Sequence, residues 1–221
     1  MKRTCFPVMT VVAVFLIFPV ASLWAAEKTP APVIVEAAQK GIKRFITESR
    51  TTGLHRFGFL TQADAYGATL GEGFQVFTVP TQSLLEEHSS IGLPQSAAPT
   101  KMWQFLVLSH GKAKAFITVD YIRDQWAPVA IGSTGLAQET ADLLKRYPRS
   151  AGYHYRFLAL YQADSDLIEM SKDEKVLGLV PLASARMALN FPSGSSPLEV
   201  RNFGEVAKAV RPKDMSAPGT Q

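Results

Sequence analysis

The sequence predicts an α+β fold, a curved antiparallel sheet with helices on one face. Three observations lead there. Strand-like runs at 102–108, 113–119 and 126–131 follow one another across short polar turns, the spacing of hairpins rather than of parallel crossover units. The same order, three strands and then a helix, recurs between 155 and 189. An amphipathic stretch precedes both, with Val35, Ala38, Ile42, Phe45 and Ile46 at three- and four-residue spacing.

At the N-terminus, residues 1–26 read as an address. Lys2 and Arg3 form a basic start, residues 6–20 are uncharged and almost wholly apolar, and Ser22 with Ala25-Ala26 makes an exit of the kind signal peptidase cuts. About 17 apolar residues approach spanning length, but Pro19 and the small exit residues favour a cleaved signal peptide, 1–25, over an anchor. Cys5 precedes the apolar run and no twin-arginine pair is present, so the general secretory route is expected, to the periplasm or outside the cell. Without Lys2, Arg3 and Cys5 the chain keeps 21 basic against 19 acidic residues, a net charge of +2, and no cysteine. That excludes thiol enzymes, disulfide exchangers and thiolate metal sites. The mild charge has no basic block, so nucleic acid is not an expected partner. No later apolar run reaches 18 residues, so no membrane span is expected after the signal.

The remaining elements follow in order. Residues 26–32 carry two prolines and read as a linker. The helix at 33–49 ends at Thr51-Thr52-Gly53. A short extended piece at 57–60 and a helical turn at 62–70 come next, then a strand at 73–79 closed by Pro80. A helical piece at 83–87 opens a loop that runs to 100. Ser109-His110-Gly111-Lys112 joins the first two strands of the long run and Asp124-Gln125 the next two. Ser133 or Thr134 caps a helix lined by Leu136, Ala137, Ala141 and Leu144, which Pro148 stops. A second set of strands at 155–161, 166–170 and 176–182 leads to a helix at 183–189.

These elements define one α+β domain at 33–192, with repeat units at 102–147 and 154–190. Residues 193–221 form a loose C-terminal segment with a short helix at 198–210. Eleven residues separate Phe105 from Phe116 and Phe157 from Ile168. Phe105 and Phe157 are therefore expected at equivalent buried places, each beneath the helix of its own unit. The general shape is that of cystatin-like and propeptide-type modules, although neither signature string occurs.

Chemistry is sparsely marked. Ser109-x-x-Lys112 matches a string of penicillin-binding enzymes, but that chemistry needs a helix start and partner motifs, and here the string reads as an exposed turn. No Gly-x-Ser-x-Gly elbow or phosphate-cradling glycine loop is present, and no cofactor is expected. His55, His88, His110 and His154 are far apart, so no metal site is expected. The acidic stretch from Asp164 to Glu174 lacks calcium-loop spacing and reads as a solvated hairpin. Aromatic and cationic residues are more suggestive, because they anchor interfaces. Trp103, Arg123, Trp126 and Arg156 are the candidate binding residues. Strand alternation places Trp126, Pro128 and Ala130 on an open side and Ala127, Val129 and Ile131 on the core side. The expectation is an exported non-catalytic protein that binds a peptide, a partner protein or an envelope component through its sheet face. The alternative is an exported hydrolase with a dispersed Ser/His/Asp site.

Overall fold

A computed structural model describes residues 29–49, 51–85, 92–94, 96–191 and 200–210. The expected signal peptide, the start of the linker, residues 86–91 of the long loop and most of the C-terminal segment lie outside these. Among the described residues seven strands form: β1 (Thr69–Thr78), β2 (Ala98–Ser109), β3 (Lys112–Ile122), β4 (Gln125–Gly132), β5 (Tyr153–Leu160), β6 (Ser165–Lys172) and β7 (Lys175–Pro181). They make one sheet in the order β4-β3-β2-β1-β5-β6-β7, antiparallel at every junction except β1 with β5. The helices are α1 (Pro32–Glu48), α2 (Gln62–Tyr66), α3 (Thr81–Leu85), α4 (Thr134–Arg146), α5 (Ala183–Ala188) and α6 (Phe203–Val210). The fold class is the α+β one that the sequence indicates.

β1 and β2 each begin four residues before their hydrophobic runs. Ala98 and Pro99 show no strand pattern of their own, yet they pair with Thr78 and Phe77. Cross-strand partners decide strand length here, not local propensity. Residues 51–57, expected to end a helix and start an extended piece, instead coil into a 3-10 turn.

β2-β3-β4-α4 and β5-β6-β7-α5 share one order and flank β1 on opposite sides. β2 opposes β1 while β5 runs with it, so the units are related as by a half-turn about the sheet normal through β1. The equivalence expected of Phe105 and Phe157 is corrected. Both are buried, but Phe105 packs with Ile34, Ala38 and Ile42 of α1, whereas Phe157 packs with Ala137 and Leu143 of α4. Adjacent strand residues face opposite ways. Leu106, not Phe105, shares the α4 core with Phe157.

That alternation also corrects the open face. α4 and α5 adjoin on one face, where Glu139 accepts from Arg186 Nη2 at 2.7 Å and from the Ala183 amide at 2.9 Å. α1 covers the β2-β3-β4 half of the other face. Gly41 lies so close to Pro128 and Ile117 that a β-carbon there would overlap both. On the β5-β6-β7 half of that face, Leu158, Leu167 and Leu179 pack against Leu84 of α3 and Phe203, Val206 and Ala207 of α6. Residues 200–210 of the C-terminal segment are thus part of the packed fold.

Three hairpins turn on two residues with both φ values positive: His110-Gly111, Arg123-Asp124 and Asp173-Glu174. Such turns match the strand twist, and the sheet imposes them even on residues that disfavour the left-handed region. Both sheet edges are guarded. Leu179 of β7 exchanges two 2.7 Å backbone bonds with Arg201. β4 carries Pro128 and a register shift opposite Thr118 and Val119, devices that discourage further pairing.

Candidate functional site

Pairing registers assign the sequence-predicted residues to rows across the α1 face. One row reads Pro128, Val119, Trp103 and Gln75 on β4, β3, β2 and β1. It continues through Arg156 of β5, one residue back from the Val76↔Phe157 pair, to Glu169 and Leu179. Trp103 and Arg156 therefore flank Gln75, with roughly 10 Å between their strands. Neither offers a free surface. Trp103 is 3% exposed and stacks on Phe105 at 6.1 Å, so its place as a binding residue is corrected to core. Arg156 donates from Nε to Glu169, whose side chain is 2% exposed, and its guanidinium lies 5.4 Å from the Phe77 ring. Glu169 also accepts from the Leu93 amide at 2.8 Å, so the pair ties the long loop to the sheet. The place of Arg156 is corrected to structural.

The next row is different. Trp126 pairs with Tyr121, their rings edge to face at 5.3 Å, and Lys101 Nζ stands 4.5 Å from the Tyr121 ring centre. Lys101 is exposed and both aromatics are half-buried. Four strand spacings separate β4 from β5, roughly 19 Å, so Trp126 and Arg156 do not share one small ligand. Arg123 lies at the hairpin tip beyond this row, exposed and held at φ 49 by the turn.

Trp126 faces α1, not the side that strict alternation gave it. The β3–β4 register skips at Val129, pairing Val119 with Pro128 and Thr118 with Ala130. One extra residue reverses the parity. Trp126 and Pro128 before the skip and Ile131 after it therefore share a face, and Trp126 and Ile131 both pack on the α1 core. Val129, expected inside, is 39% exposed.

Ser109 is also corrected: it is fully buried, not part of an exposed turn. Its hydroxyl donates to Asp64, which also accepts from Lys114 Nζ at 3.0 Å and from the Leu60 amide at 3.1 Å. The Ser109 bond, opposed by burial and aided by Lys114 and Leu60, lowers Asp64 from 3.8 to about 2. A lowered folded pKa means the carboxylate stabilises the fold above pH 3.8, a contribution lost as pH falls through about 2. Asp64→Asn should cost about 1–3 kcal/mol at neutral pH and flatten this acid limb in denaturant titrations. Unchanged pH dependence in the variant would count against the network.

For the hydrolase alternative, the hydroxyl–carboxylate pairs at hand are Ser109 with Asp64 and Ser184 with Asp166, the latter at 3.1 Å. Burial, the largest effect, raises Asp166, while the Ser184 bond opposes the rise and Asp164 adds to it. His55, His110 and His154 are exposed, and among the described residues none bonds either pair. No group of three or more His, Cys, Asp or Glu side chains converges among those residues. No described helix is long and apolar enough to cross a membrane. Comparison with family models, curated proteins and solved structures finds no match.

Sequence reasoning missed Lys101 and Asp64. Lys101 stands two residues before Trp103, so a longer strand would have placed both on one face. Nothing in the sequence marks Asp64, because its partners come from 45 and 50 residues away.

Proposed function

We propose that this is an exported, non-catalytic protein that holds an extended segment of a partner protein across the row of Lys101, Tyr121 and Trp126. Arg123 forms the rim of that surface. The supporting observation is the row itself: three neighbouring strands present a cation over an aromatic pair with both rings half-exposed. Such side chains bury large area at low entropy cost and anchor interfaces. Lys101 and Arg123 favour a segment carrying a carboxylate beside an apolar residue. Peptides selected from a random library against the protein should be rich in such pairs. They should lose about tenfold or more in affinity for Trp126→Ala and Lys101→Ala, as interface anchors do. Selected peptides that bind both variants as tightly as wild type would remove this surface from consideration.

A further inference from the structure

The opposite end of β3 carries a second surface, independent of the one just described. Leu60 and Tyr66 are 74% and 65% exposed, six residues apart in sequence, on the segment that leads into and through α2. The other large apolar side chains of this stretch, Leu54, Phe57, Phe59 and Leu70, are buried or half-buried. They are not loose. The Leu60 amide is held by Asp64, and Asp64 is held by Ser109 and Lys114 of the β2–β3 hairpin. Gln62 donates to the Tyr66 hydroxyl at 3.0 Å. The buried carboxylate thus fixes two protruding apolar groups beside the hairpin tip.

Among the described residues, the unpaired exposed charges closest in sequence and on the adjoining hairpin share one sign. Arg56 and Lys112 are exposed, as are His55 and His110. The local carboxylate, Asp64, is buried and neutralised by Lys114. Glu48 and Glu72, the next carboxylates along the chain on either side, are paired with Arg44 and Arg149. Asp173 and Glu174 lie at the same end of the sheet, but on the β6–β7 tip, four strand spacings from β3 and flanked by Lys172 and Lys175. The end of the β2–β3 hairpin is therefore net cationic.

The geometry points to a peripheral docking site for an anionic lipid bilayer, with Leu60 and Tyr66 entering the interface and Arg56 and Lys112 meeting headgroup phosphates. Apolar tips set among exposed cations suit an anionic bilayer, which offers charged headgroups over an apolar interior. Tyrosine favours the headgroup level, and lysine and arginine reach phosphates while their stems stay apolar. Two cations and two apolar tips give weak, reversible binding that depends on anionic lipid. The row at Tyr121 would then face away from the bilayer, roughly 30 Å along β3.

The test places an environment-sensitive fluorophore on Leu60→Cys, with Cys5→Ser so that the label has one site. A second protein carries it on Met187→Cys, since Met187 is 75% exposed and on α5. With vesicles of phosphatidylcholine and phosphatidylglycerol, the probe at position 60 should shift to the blue and the probe at 187 should not. Vesicles of phosphatidylcholine alone should give no shift at either. Arg56→Ser with Lys112→Ser should weaken the response roughly 30-fold, the effect of two surface cations. About 0.5 M salt should do the same by screening. No shift at position 60, equal shifts at both positions, or an equal response to neutral vesicles would overturn the proposal. So would a position-60 contact found only with a protein.

Discussion

Arg156→Ala is expected to destabilise the fold by about 3–5 kcal/mol, because it leaves a carboxylate buried without its counter-ion. Glu169 is 2% exposed, and its two acceptor oxygens serve Arg156 Nε and the Leu93 amide. The carboxylate cannot turn to water without releasing the loop. Glu169→Ala should cost less, since the Arg156 side chain is 19% exposed and can turn toward water. Replacing both partners by apolar residues of like volume should recover much of the loss. Arg123→Ala, at an exposed turn, should stay within about 0.5 kcal/mol. Denaturant midpoints measure all four. An Arg156→Ala protein as stable as wild type would return Arg156 to the list of available surface residues.

Phe157→Ala should cost about 3–5 kcal/mol for a different reason. Phe157 is fully buried, with its ring 5.8 Å from Phe116 and 6.4 Å from Phe74. Those rings come from β3, β1 and β5, so the trio joins the two three-stranded halves of the sheet beneath α4. Three strand spacings separate β3 from β5, roughly 14 Å in a flat sheet. Contact between Phe116 and Phe157 therefore requires the sheet to curve toward this face. Removing the Phe157 ring opens a cavity at the join, where neighbours from several strands cannot collapse together. Phe105→Ala should cost as much, but by loosening α1. Hydrogen exchange separates the two: Phe105→Ala should speed exchange in α1 first, and Phe157→Ala in α4. The same helix responding to both would contradict the two-faced core.

The sequence carried the order of the elements further than it carried their faces. Hairpins were legible because each pair of apolar runs is separated by a turn of fixed composition, as at His110-Gly111. Which face a side chain takes was not, because it depends on register. One skipped residue at Val129 reversed the parity that placed Trp126, and a one-residue offset between the units separated Phe105 from Phe157. The cover over the α1 face was equally hidden. α1 is recognisable as an amphipathic helix, but nothing local says which strands receive it; the close approach of Gly41 to Pro128 links positions 87 residues apart. Of the four candidate residues, Trp126 and Arg123 reach the surface at one end of the sheet, while Trp103 and Arg156 are absorbed by a core and an ion pair. Aromatic and cationic residue types mark buried anchors as readily as exposed ones.

The proposed recognition surface is tested most directly by hydroxyl-radical footprinting of the protein in the intact cell envelope and after purification. Oxidation of Tyr121 and Trp126 should be substantial in the purified protein and fall several-fold in the envelope, where a partner segment lies across the row. Trp103 should resist oxidation in both, being 3% exposed. Tyr121 and Trp126 oxidised equally in the two settings, with protection confined to another surface, would contradict the assignment of this row as the site.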